Sequence, residues 1–251
     1  MSRDQQNKKE KMDMKRIPVI FFIGVSGSGK DTQADFLIDN YGFIKISSGN
    51  ILREIKKEAE GNPDNYEAGV IKRILDDGKF VPTLTIASRW YHILIDLIHK
   101  MKFSHGPKDK IKGIIFSSSP RKLAEALLLE DFFNTWPEAS VFETRPIFID
   151  VSEKEALRRL QNRLVCASCK KNFMITNKED KPVKCDSCGG VLEVRHDDTE
   201  ENIKSRFREF KEFLIPVIDF YGKNNKLATI KGEQSVEGVY KDIIGVLSLD
   251  K

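Results

Sequence analysis

Short runs, continuously apolar or nearly so and bounded by turn residues, recur at Ile17–Ile23, Phe43–Ile46, Ile114–Phe116, Pro146–Val151 and Leu227–Ile230. A strand with one wet face alternates apolar with polar positions. Runs without that alternation predict strands buried on both faces, as in a parallel sheet. Helical spacing separates them. One helix is predicted from about Asp31 to Asn40, with Phe36 and Leu37 inward and Gly42 as its stop. Another is predicted from about Asp198, where Asp198 and Glu201 suit a capping box. Its apolar Ile203, Phe207, Phe210 and Leu214 step by four, three and four before Pro216. Strand–helix alternation predicts a doubly wound α/β core. The polar stretch Lys102–Lys112, with its Gly and Pro, reads as a surface loop.

Composition narrows the class. With 251 residues, 40% hydrophobic and 32% charged, the chain can bury a substantial core. The longest apolar run, Ile17 to Val25, is too short to span a bilayer, so no membrane association is expected. Residues 1–16 have no apolar stretch after their charges and do not read as a secretory signal. They hold six basic and three acidic residues, +3 of the net +4, and read as a disordered, solvated arm. The remainder is nearly neutral, which argues against a nucleic-acid binder.

After the first strand comes Gly24-Val-Ser-Gly27-Ser28-Gly29-Lys30-Asp31-Thr32, then a helix. Glycines allow a turn so tight that successive backbone N–H groups point inward as an anion nest. The helix N-terminus adds its positive end, and Lys30 can reach β- and γ-phosphates. Strand, loop, lysine and helix in this order mark a phosphate-binding loop.

Four cysteines form two pairs, Cys166-x-x-Cys169 and Cys185-x-x-Cys188, fifteen residues apart, with Gly189-Gly190 after the second. Such spacing can set four thiolates tetrahedrally around Zn²⁺ in a closed, structural site. A disulfide framework is unexpected in the reducing cytoplasm that the absence of a signal suggests.

The run Gly29-Lys30-Asp31-Thr32-Gln33 resembles the Gly-Lys-Gly-Thr-Gln of the adenylate kinase family, and the cysteine pairs resemble the zinc lid of its bacterial members. The resemblance covers about residues 17–250. It implies a P-loop-type, doubly wound, five-stranded parallel sheet over 17–46, 82–162 and 199–251. It also implies an inserted acceptor-binding segment, 47–81, and a zinc-ribbon-like lid, 163–198. Gly24, Gly27, Ser28, Gly29, Lys30, Asp31 and Thr32 would hold ATP with Mg²⁺, with Arg159, Arg163 and Gln234 contributing. Ser48, Gly49, Arg53, Lys79, Phe80, Val81, Arg121 and Glu125 would hold the nucleoside monophosphate. Arg195 and Arg206 would clamp phosphates of both, and Asp197 and Asp198 would order the closed lid. Lys30, Arg121, Arg163, Arg195 and Arg206 are the implied catalytic charges, in a monomer.

Two departures from the family pattern bear on function. Family Asp-Gly-Phe-Pro-Arg is here Ser117-Ser118-Ser119-Pro120-Arg121, so the aspartate that helps hold Mg²⁺ through water is replaced by Ser117. The glutamine for the acceptor adenine is Glu125, which can accept hydrogen bonds but cannot donate one to adenine N1. AMP is the first expected acceptor and GMP the second. A catalytically weakened, regulatory nucleotide binder is the alternative.

Overall fold

The structure is a computed structural model describing residues 16–103, 111–169, 171–175, 184–194 and 199–249. The expected N-terminal arm and most of the Lys102–Lys112 loop lie outside these residues, as do Arg195, Asp197 and Asp198.

In chain order the core elements are β1 (Ile17–Ile23), α1 (Lys30–Tyr41), β2 (Ile44–Ser47), α2 (Ser48–Gly61), α3 (Tyr66–Asp76) and α4 (Thr83–Phe103). Next come β3 (Ile114–Ser117), α5 (Leu123–Thr135), β4 (Phe142–Asp150) and α6 (Glu153–Gln161). Three short strands, β5 (Arg163–Cys166), β6 (Asn172–Met174) and β7 (Leu192–Val194), precede α7 (Glu200–Glu209), α8 (Ile215–Lys223), β8 (Ala228–Lys231) and α9 (Val236–Leu247).

Five strands form one sheet in the order β2-β3-β1-β4-β8, with every pairing parallel. Strand β1 is central, and successive residues feed opposite faces, as period two demands. Val19, Phe21 and Ile23 join Ile114, Phe116, Trp90 and Tyr221 on one side. Ile20 and Phe22 join Leu37, Ile115, Ile147 and Ile243 on the other. Both faces are covered, which is why the five apolar runs show no alternation. Full burial of each large side chain contributes about 1.5–3 kcal/mol, so this double layer holds the sheet rigid beneath the loops at its C-terminal edge. The second sheet, β6-β5-β7, is antiparallel and small.

Most predicted elements stand within a residue or two. Strand β4 starts four residues early, at Phe142, because its polar Glu143, Thr144 and Arg145 hide the pairing with β1. Helix α1 ends at Gly42 as expected, with Gly42 N–H bonded to Ile38 O at 2.8 Å. Leu37 is fully buried, while Phe36 is only partly so and packs on Tyr240. The capping box at Asp198 and Glu201 is corrected: Thr199 caps α7, its hydroxyl accepting the Asn202 N–H at 3.3 Å. Nor does Pro216 end the helical path. A π turn over Phe210–Leu214 leads directly into α8, placing Pro216 in a first turn, where its missing N–H costs little.

Candidate active site

The loop after β1 wraps so tightly that a side chain has no room at Gly24 or Gly27. A Cβ on Gly27 (φ 88°) would lie 2.8 Å from the Ala156 carbonyl oxygen, so α6 sits flush against the loop. Lys30 opens α1 and curls back over this loop, its ammonium donating to Gly24 O (2.8 Å), Val25 O (2.7 Å) and Ser28 Oγ (3.2 Å). Burial lowers its pKa to about 8; Asp31 opposes that shift, and the cations Arg121 and Arg163 add to it.

Across the cleft, β2 runs into α2, which Ser47 caps by accepting the Asn50 N–H. Ser48 is buried, its hydroxyl accepting the Trp90 indole N–H at 3.1 Å and lying 2.6 Å from Ser119 Oγ. Gly49 leaves space beside the Arg53 guanidinium, which bonds Asn50. After β3 the chain turns through Ser118 (φ 62°) and a cis Ser119–Pro120 peptide, then presents Arg121. Arg121 Nε donates to Ser118 O at 2.9 Å, and its guanidinium lies 5.7 Å from the Phe80 ring centroid. Burial holds Arg121 below its ordinary pKa; Glu125 and Glu209 oppose this, and the nearby Arg206 reinforces it.

On the lid side, Arg159 lies on α6 and Arg163 opens β5, just past that helix. Arg159 donates to Glu155 Oε1 and Gly232 O, both at 2.8 Å, tying α6 to the loop after β8. Gln234 in that loop donates to Lys231 O and to Asp242.

One cleft of ≈ 1900 Å³ gathers Lys30, Ser48, Arg53, Arg121, Arg159, Arg163 and Gln234. Every described nucleotide-site residue predicted from the sequence lines it: Gly24, Gly27, Ser28, Gly29, Lys30, Asp31, Thr32, Ser48, Gly49, Arg53, Lys79, Phe80, Val81, Arg121, Glu125, Arg159, Arg163, Arg206 and Gln234. Sequence reasoning missed Lys45, Trp90, Ser119 and Glu209. Lys45 was detectable only as a lone charge inside an apolar strand, and Trp90 lies on the unread helix α4 with the buried series Ile86, Trp90, Leu94, Ile98.

The four cysteines do converge. Their Sγ atoms all lie within 4.8 Å of one another, with Cys166–Cys188 at 3.5 Å and Cys169–Cys185 at 3.6 Å. Sulfurs bound tetrahedrally at about 2.3 Å from Zn²⁺ are spaced about 3.8 Å apart, so this donor set fits such an ion. None of the four is in a disulfide. Backbone N–H groups of Cys169 and Ser187 point at Cys166 and Cys185 sulfurs (3.5 and 3.4 Å). A Cβ on Gly190 would crowd Cys166 Sγ at 2.9 Å, so the second knuckle closes on the first only with glycine there.

Among the described residues no helix is long and apolar enough to cross a membrane. A family model described as Adenylate kinase matches residues 22–226. The chain is 33% identical over 230 residues to an adenylate kinase of Petrotoga mobilis, covering 91% of this chain and 96% of that protein. It is 33% identical over 231 residues to one of Archaeoglobus fulgidus (91% and 97%) and 34% identical over 227 residues to one of Chlamydia pneumoniae (90% and 95%). Phosphate loop, converging cations, four-sulfur lid and these likenesses agree: the chain belongs to the adenylate kinase family, a phosphotransferase whose substrates are ATP and a nucleoside monophosphate.

Proposed function

We propose that this protein reversibly transfers the γ-phosphoryl group of ATP to AMP, giving two ADP, with GMP as the second-ranked acceptor. The observation that carries the reading is the crowding of Lys30, Arg121, Arg163 and Arg206 around one cleft, close enough that Arg121 and Arg163 depress Lys30 and Arg206 depresses Arg121. Asp31, Glu125 and Glu209 offset part of this repulsion, and a polyanion seated among the cations would offset more of it. The cleft also exceeds the roughly 300–1,000 Å³ of a pocket for one small ligand, which leaves room for two nucleotides.

Phosphoryl transfer needs in-line positioning and cancellation of spreading negative charge more than covalent help. Lys30 would leave its loop carbonyls for the β- and γ-phosphates, which the loop N–H groups cradle. Arg159 and the Gln234 loop would flank the ATP base. Ser48, Gly49 and the backbone of Lys79–Val81 would seat the acceptor base, with Arg53 and Arg121 on its phosphate. Arg163 and Arg206, with Arg195 beyond the described residues, would close on the transferring group through their planar forks. Asp197 and Asp198 would hold the lid shut, excluding the water that otherwise hydrolyses ATP.

The lid would bind Zn²⁺ through Cys166, Cys169, Cys185 and Cys188, as a staple rather than a catalyst. Among the described residues its apolar cluster is Leu164, Cys166, Cys185 and Leu192, with Phe173 and Ile175 beside them, few to hold three short strands. Mg²⁺ would accompany ATP and supply charge to the phosphates, with the Thr32 hydroxyl at hand. Division into core, acceptor segment (47–81) and lid (163–198) belongs to the same reading, as do a monomeric state, no nucleic-acid partner and a cytoplasmic setting. The free thiols suit that setting.

A coupled assay for ADP over a panel of nucleoside monophosphates tests the proposal. The expected result is fastest turnover with AMP and weaker turnover with GMP. Faster turnover with GMP would move the acceptor assignment to guanine. ATP binding without transfer to any acceptor would favour the regulatory reading motivated by Ser117.

A further inference from the structure

A phosphate cradle should exclude carboxylates, yet α1 begins Lys30-Asp31, and Asp31 lines the cleft with its side chain 43% exposed. Three elements meet at this carboxylate. Lys45 of β2 lies 3.3 Å from Asp31 Oδ1, and the hydroxyl of Ser117, the last residue of β3, donates to the same oxygen. An ammonium and a donated hydroxyl on one carboxyl oxygen favour the ionised form, so Asp31 is an anion. Lys45 cannot fully neutralise it, because the same ammonium also pairs with Asp35 at 3.0 Å and is shared between the two carboxylates. A triphosphate seated beside this pair would meet like charge unless a divalent cation lay between them.

Asp31, which stands where the family run has glycine, and Ser117, which stands where it has aspartate, are thus in direct contact. An acid has appeared after Lys30 and an acid has gone from the end of β3, at positions 86 residues apart in the chain. The charge has crossed the contact and has not been lost. We propose that Asp31 supplies the carboxylate that holds the water shell of the divalent cation accompanying ATP, with the Ser117 hydroxyl orienting it. Magnesium keeps several of its waters in such sites, so one carboxylate and one hydroxyl can anchor it through them. This rests on the ATP-binding part of the function proposed above.

The test measures metal retention directly. Mn²⁺ replaces Mg²⁺, and its binding to the protein with a non-hydrolysable ATP analogue is followed by electron paramagnetic resonance. Affinity for the analogue is measured separately in chelator. Asp31→Asn should weaken Mn²⁺ retention roughly 10- to 100-fold, as loss of an outer-shell partner does. Metal-free affinity for the analogue should stay equal or tighten, because a like charge has gone. The double variant Asp31→Gly with Ser117→Asp should recover most of the Mn²⁺ affinity, since it returns the carboxylate to the strand end. Mn²⁺ affinity within twofold of the parent in Asp31→Asn would overturn the inference. So would equal loss of metal-bound and metal-free nucleotide, which would make Asp31 a brace for Lys45. A parent protein that holds Mn²⁺ through Asp31 yet phosphorylates no acceptor would sink the kinase reading and leave this inference standing.

Discussion

The Glu125 carboxylate accepts the Arg121 backbone N–H at 2.7 Å, so one buried acid both closes the N-terminal turn of α5 and lines the cleft. Burial raises its pKa, while the Arg121 N–H and the charges of Arg121 and Lys122 pull the other way. A residue held this way cannot swing aside when a base enters.

Glu125→Gln should raise the AMP-to-GMP ratio of kcat/KM. The amide oxygen can still take the Arg121 N–H, so the turn survives, while the new N–H₂ can donate to adenine N1. A polar group left unpaired against the wrong base costs about 1–3 kcal/mol, or roughly 5- to 150-fold in discrimination. Parallel kinetics with the two acceptors check this, and an unmoved ratio would mean that Glu125 serves the turn alone.

Lys30→Ala should lower kcat by at least roughly 10²–10³-fold, the effect of removing one charge aimed at the transition state. The lid metal should change little, because Lys30 is not one of the four sulfur donors. Retention of most activity would place the chemistry elsewhere.

Lys30 also predicts a pH profile. With its pKa lowered to about 8, the free protein loses this charge as pH rises through that value, whereas bound phosphates would restore it. Because kcat/KM reports the free enzyme and kcat the bound one, kcat/KM for ATP should fall above about pH 8 while kcat holds to higher pH. Stability runs the other way. Between about 8 and the ordinary 10.5 the unfolded chain binds the extra proton, so the cost of burying this ammonium is relieved as pH rises across that window. A kcat/KM profile flat from about pH 7 to 10 would detach Lys30 from the phosphates.

Protein purified without chelator should carry about one Zn²⁺ per chain. Cys166→Ala should abolish that content and lower the first thermal transition, leaving the parallel sheet folded, since its two clusters contain no lid residue. Elemental analysis with far-ultraviolet dichroism reads both. A parent without metal, or a variant with undiminished metal, would reject the lid site.

Some of this molecule is written locally. A nearly unbroken apolar run of three to seven residues favours burial on both faces, so the strands of the parallel sheet were readable from Ile17–Ile23 onward. The glycines and Lys30 form their cradle within nine residues, and each cysteine knuckle closes within four. The unread helix α4 shows the limit from the other side. Its four-residue spacing is present, but nothing local says that Trp90 ends against Ser48, forty-two positions earlier. Likewise nothing local joins Asp31 to Ser117, 86 positions away. Their contact exists because β3 lies between β1 and β2, with Ser117 level with Phe22 on one side and Ser47 on the other. That register lifts the Ser117 hydroxyl to the first turn of α1 and sets Lys45 beside it. Periodicity and tight turns depend on neighbours a few residues away, and the amino-acid sequence states them directly. Which charges share a site depends on strand order and register, and these are decided only when the whole sheet packs.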